Sequence, residues 1–149
     1  MKNYFCTAIG AAGTLIAGWF GGCDAVLASL LVFMAIDYVT GLMVAAVFHK
    51  SKKTASGRAE SKASFKGLCK KCTTLLFVLV GARLDILIGA TYIRDGICIG
   101  FIANELISIV ENAGLMGIRL PNVIANAIDV LTAKSEESAN KIKEEKKNE

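Results

Sequence analysis

In 149 residues the sequence holds one proline, one histidine and one tryptophan, and charged side chains make up only 20% of it. The scarcity of histidine weighs most on chemistry. With His49 alone, and with no serine nucleophile elbow, glycine-rich phosphate loop or H-E-x-x-H, the common catalytic constellations are absent. Cysteine is present but scattered. Cys6, Cys23, Cys69, Cys72 and Cys98 give no even framework of the kind small secreted folds use. Cys69 and Cys72 form a C-x-x-C, but a structural zinc site needs a second ligand pair and His49 lies far off in sequence. No metal, no cofactor and no ordinary enzyme is expected.

What the chain does hold is apolar surface. Hydrophobic residues make up 54% and the mean hydropathy is +0.51, more than a soluble core of this size requires. The 17 Lys and Arg and 13 Asp and Glu collect mainly in two blocks, His49 to Lys71 and Arg119 to Glu149. A helix needs about 20 apolar residues to cross about 30 Å of hydrocarbon. Four segments meet that length: Tyr4 to Gly22, Asp24 to Phe48, Thr73 to Ile93 and Gly96 to Ile118. The expected fold class is therefore all-α, an integral membrane protein of about four transmembrane helices. Residues 1–118 form the membrane domain and 119–149 a cytoplasmic region.

The loop 49–72 carries Lys50, Lys52, Lys53, Arg58, Lys62, Lys66, Lys70 and Lys71 against the single acid Glu60. It is short enough for the positive-inside rule, which places it in the cytoplasm and both termini with it. Lys2 ahead of the first span and Arg119 after the fourth agree. Attraction to anionic lipid at the inner surface accounts for the charge. A nucleic-acid partner is not expected, since Phe65 is the loop's only aromatic and both its ends are tethered to spans.

After Ile118, Pro121 suits a first helical turn, and Val123, Ile124, Ala127, Ile128 and Leu131 make an apolar stripe for the inner leaflet. Beyond Ala133 the balanced charges leave little to bury, so a solvated tail is expected, and its deletion should leave the membrane fold standing. At the other end, Phe20-Gly21-Gly22-Cys23 loosely echoes a lipoprotein processing site. The long apolar stretch and the further span behind it favour an uncleaved first span. That span carries two rows of small residues, Gly10-Thr14-Gly18-Gly22 and Gly13-Ala17-Gly21, which let another helix approach closely, in the same chain or in another copy.

The polar residues inside these spans cost about 2.5 to 3.5 kcal/mol each if charged at the bilayer centre, so they should face helices or water. Asp37 and Arg83 fall at similar depth and are candidate ion-pair partners, while Asp85 and Glu105 share a level at which two carboxyls could hold one proton. Asn104, Glu105, Ser108, Glu111 and Asn112 form one polar stripe on the fourth span. It serves either interhelical hydrogen bonding or a water-filled path.

Together these pieces resemble a known family. They are Ile36-Asp37-Tyr38-Val39-Thr40-Gly41, Ser64-Phe65-Lys66-Gly67-Leu68-Cys69-Lys70-Lys71, the Asp85 position, and Ala103-Asn104-Glu105-Leu106-Ile107-Ser108-Ile109-Val110-Glu111-Asn112 followed by Gly114, Gly117 and Leu120-Pro121. Their order and spacing over about residues 24–133 are similar to the small phage-lysis and toxin-secretion holins of Gram-positive phages and clostridia. The resemblance implies a homo-oligomer in the bacterial cytoplasmic membrane that collapses into lesions, depolarises the cell and releases an endolysin or a toxin. It also leaves open an antiholin that restrains such a protein. Composition alone keeps three other readings: a proton-linked transporter or channel, a membrane enzyme using Glu105 and Asn104 on a lipid, and a passive anchor.

Overall fold

A computed structural model describes residues 2–148; the side chains of Lys2 and Cys6, on which two of the readings above fall, lie outside what it describes. The chain is all-α: α1 (Lys2–Trp19), α2 (Ala25–Ala46), α3 (Ser61–Ile88), α4 (Ile93–Leu115) and α5 (Asn122–Asn148). The helix boundaries follow local chemistry. Asp24 caps α2 by accepting the Leu27 N–H at 3.0 Å, Gly89 ends α3 in the left-handed conformation, and Gly117 does so just past α4.

Helices α2 and α4 run parallel, with α3 antiparallel to both. The core forms where they meet: Leu27, Leu30 and Met34 from α2, Val78 from α3, and Cys98 and Ile102 from α4. Helices α3 and α4 approach closely at Gly81, where a Cβ would stand 2.7 Å from the Ile97 side chain and 3.1 Å from the Arg94 backbone. The end of the bundle where α2 and α4 begin is tied by Arg94. Its guanidinium donates to the Phe20 carbonyl at 2.9 Å and pairs with both Asp24 and Asp95.

The all-α expectation is met, whereas the count of four spans is not established. Of the four expected spans, α2 (mean hydropathy 2.0) is the one helix among the described residues that is long and apolar enough to cross a membrane by composition. The polar residues of α4 and the lysines that open α3 dilute those two candidates. Two expectations need correction. The basic segment is not all loop, since helix α3 starts at Ser61, twelve residues before Thr73. Ser61 to Cys72 contains no proline, and its Lys62, Lys66 and Lys70 recur at helical spacing.

Nor is the tail beyond Ala133 a loose solvated segment. Helix α5 continues to Asn148 and folds back along α4, with Leu131 against the core and the Ser135 hydroxyl donating to the Gly96 carbonyl at 3.1 Å. Small residues make this approach possible. A Cβ at Gly96 would lie 2.6 Å from the Ser138 Cβ, and one at Gly100 would lie 2.7 Å from the Ser135 hydroxyl. The periodic charges that suggest a solvated tail therefore belong to the outer face of a docked helix.

Among the described residues, helix α1 has no extensive packing against another helix. Nothing lies within 4 Å of a Cβ at Gly10, Gly13 or Gly18, so these members of the small-residue rows meet no neighbour from this chain. Ala17 is half-buried, Gly22 turns the chain with a positive φ, and Gly21 meets only the Arg94 side chain.

The α4–α5 contact makes a direct prediction. Gly96→Val forces α5 away from the start of α4, so limited proteolysis of the full chain in detergent should cut residues 134–148 at least several-fold faster while α2 to α4 survive. Unchanged cleavage would mean that α5 is not held there.

Candidate functional site

One charged residue from each of the three central helices meets at one level. Lys71, eleven residues into α3, places its ammonium 2.9 Å from Asp37 Oδ2 on α2 and 2.5 Å from Glu105 Oε2 on α4. The three side chains are only 13%, 8% and 11% exposed, so water does little to screen them. Asn112, about two turns beyond Glu105 on α4, donates its amide to Asp37 Oδ1 at 3.1 Å and to the Thr40 hydroxyl at 2.9 Å. Thr40 in turn donates to the Asp37 carbonyl at 3.1 Å. Every buried polar side-chain atom among the described residues has a partner.

Helical register explains why Lys71 is chosen and Arg83 is not. On α3 the residues Lys71, Val78 and Asp85 recur every seven positions and face α4, whereas Arg83 is twelve positions from Lys71 and turns about 120° away. The expected Asp37–Arg83 pair is thus replaced by Asp37–Lys71, and Arg83 is exposed with no ion pair among the described residues. The expected meeting of Asp85 with Glu105 does not occur either. The Asp85 carboxylate accepts the Ile93 and Arg94 N–H groups, both at 2.9 Å, and so satisfies the first turn of α4.

By sequence, Lys71 groups with the basic residues of the membrane surface; the structure places it inside. The signal that finds it is the early start of α3, which makes Lys71 part of a helix carrying apolar Val78 and Ala82 on the same face. The remaining basic residues, Lys50, Lys52, Lys53, Arg58, Lys62, Lys66 and Lys70, lie at least partly exposed.

The stripe on α4 has both kinds of surroundings. Glu105 and Asn112 bond to other helices, and all five of Asn104, Glu105, Ser108, Glu111 and Asn112 line a cavity of about 610 Å³ bounded by α2, α3 and α4. Residues 51–54 and 58–60 of the loop after α2 line it as well. Cys69 and Cys72 are exposed thiols, and no group of three metal-ligating side chains occurs among the described residues. The arrangement binds helices through charge and leaves a polar space beside the charged centre.

With this geometry established, comparison with known proteins is informative. The pattern of the bacteriophage holin family matches residues 14–133. The chain belongs to this family. The matched region includes the whole of the charged centre and the first part of α5, through Ala133. Relatives include an uncharacterized protein of Listeria monocytogenes, 34% identical over 130 residues and 87% of each chain, and an uncharacterized 14.9 kDa protein of Clostridium perfringens, 35% identical over 89% of this chain and 96% of that one. A protein of Bacillus phage phi105 named "probable holin" is 26% identical over 75% of this chain and 78% of its own. No solved structure matches the chain. Family membership marks a membrane protein, with α2 available to cross the bilayer.

Charge accounting separates the variants of this centre. Lys71→Met strands two buried carboxylates and should cost about 3 to 5 kcal/mol, whereas Glu105→Gln leaves the Lys71–Asp37 pair intact and should cost clearly less. Thermal or denaturant unfolding of the full chain in micelles checks the order. Equal losses would mean that Lys71 does not hold both acids.

Proposed function

We propose that the chain is a phage or prophage holin that assembles in the host cytoplasmic membrane and opens lesions through which an endolysin, or a toxin, leaves the cell. Membership of the holin family carries this reading. The surface supports it: Leu31, Val32, Ile36, Val39 and Met43 on α2, and Leu76, Phe77, Val80, Leu84 and Leu87 on α3, stand outward between 40% and 78% exposed. Apolar area on that scale calls for lipid or for other copies of the chain. In this reading the protein is a permeabiliser and not an enzyme, and its spans run with both termini inside.

The α4–α5 contact gives the process a step. As docked, α5 carries Asp129, Lys134, Glu136 and Glu137 alongside α4 as far as Gly96. If α4 crossed the bilayer in that state, these charges would enter hydrocarbon at about 2.5 to 3.5 kcal/mol each near its centre. A docked α5 and a membrane-crossing α4 exclude each other. Helix α5 therefore leaves α4 for the inner surface as the span forms, and the charged centre is then the polar contact holding α2, α3 and α4 together within the membrane. In an assembly of many copies, the same carboxylates and the α4 stripe supply the wet lining a lesion needs.

The test is inducible expression in a bacterium, with and without a co-expressed endolysin that lacks an export signal. Abrupt loss of membrane potential at a reproducible time, with lysis only when the endolysin is present, is the expected result. Glu105→Gln should shift the time or abolish the event, and Gly96→Val, which frees α5, should advance it. Sustained growth at normal potential with the protein in the membrane would overturn the reading.

A further inference from the structure

The loop that lines one side of the cavity is a folded element. Its backbone closes on itself through the Ser51 N–H to the Gly57 carbonyl (3.0 Å) and the Gly57 N–H to the Thr54 carbonyl (3.2 Å), and the Thr54 hydroxyl donates to the Arg58 carbonyl (2.9 Å). Gly57 has φ of +70°, and a Cβ there would stand 2.4 Å from the His49 carbonyl oxygen, so the turn requires glycine. The backbone from which Lys52, Lys53 and Arg58 project is therefore ordered before any ligand arrives.

Those cations border one volume. Lys52, Lys53 and Arg58 from the loop, with Lys66 and Lys70 from α3, line the cavity of about 610 Å³, a size within the range of about 300 to 1,000 Å³ usual for small-molecule sites. None of the five makes an ion pair among the described residues, although Glu60 and Glu111 line the same space. The Lys53 ammonium reaches the floor, 4.0 Å from the Cβ position of Gly41, and the Asn112 amide approaches the same position at 3.7 Å. Like charges gathered around one open cavity repel one another, and an anion placed among them relieves that repulsion. The acids nearest the floor, Asp37 and Glu105, are occupied by Lys71.

We infer that this cavity binds a phosphate-bearing anion, for which four lysine ammonium groups and one arginine fork are suited donors. The source is either the phosphodiester headgroup of an inner-leaflet lipid or free inorganic phosphate. Helices α2 and α3 touch each other far less than either touches α4, which leaves a lateral gap through which acyl chains could pass. The site is independent of the lysis reading, since it rests on the cavity and its cations alone.

The experiment titrates the purified full chain, in an uncharged detergent, with dihexanoyl phosphatidylglycerol, dihexanoyl phosphatidylcholine and inorganic phosphate, counting bound molecules by native mass spectrometry. One saturable site per chain is expected for phosphatidylglycerol. Displacement of that lipid by millimolar phosphate assigns the site to the phosphate group alone, whereas resistance to displacement adds the acyl chains; both uphold the inference. The Lys53→Gln/Arg58→Gln pair should weaken binding about tenfold or more, the scale of lost charge-assisted hydrogen bonds. Lys50→Gln/Lys62→Gln removes the same charge from the same segment outside the cavity and should change it less than about threefold. Helical content by circular dichroism checks that both variants fold. Equal weakening by the two pairs, or binding that never saturates, would reduce the effect to general surface attraction and overturn the site.

Discussion

One lysine between two carboxylates, each on a different helix, is the contact on which the arrangement of α2, α3 and α4 depends. In a chain whose apolar side chains face outward as much as inward, hydrophobic burial alone gives little reason for one helix register over another, and in lipid that driving force disappears. The Lys71 contacts to Asp37 and Glu105 do distinguish registers, because a shift of one residue on α3 turns the ammonium about 100° away and strands two acids. Asn112 bonds the second carboxylate oxygen of Asp37 and Thr40 its carbonyl, which leaves the centre fully satisfied. At the far end, Asp85 capping α4 and Arg94 binding the turn after α1 repeat the principle with charge–backbone contacts.

The same economy of polar groups bears on α5. Its seat on α4 depends on Gly96 and Gly100, whose missing side chains leave room for Ser138 and Ser135, and its charges remain outside. That packing suits an aqueous or interfacial state. A bilayer around α4 reverses the balance, since packing two serines against glycine cannot offset the transfer of several charges into hydrocarbon. On the proposed function, the helix that looks like a structural strap is thus the element whose position depends on the surrounding solvent.

Much of this is legible in the sequence. Helical content, the apolar length of α2, the α4 stripe and the need of Asp37 and Glu105 for polar surroundings follow from composition and spacing, because those properties depend on near neighbours in the chain. The identity of the partner does not. Choosing Lys71 over Arg83 requires knowing where α3 begins, and a basic run read as a loop hides the first turns of that helix. Asp85 is obscured for a related reason: a carboxylate near the end of one helix can cap the next one, and only the turn between them shows it. The docking of α5 escapes because its charged periodicity is the outer face of a packed helix as well as the signature of a solvated one.

The central claim is that Lys71 binds both acids at once, and a double-mutant cycle tests it most directly. Unfolding free energies of the full chain in micelles would be measured for wild type, Lys71→Met, Glu105→Gln and the double variant. If the lysine joins the two carboxylates, the double variant loses less than the sum of the single losses by at least about 1 kcal/mol, since Glu105→Gln removes a carboxylate that Lys71→Met would strand. Strictly additive losses would show that the two residues act separately, and the centre would no longer account for how the helices are held.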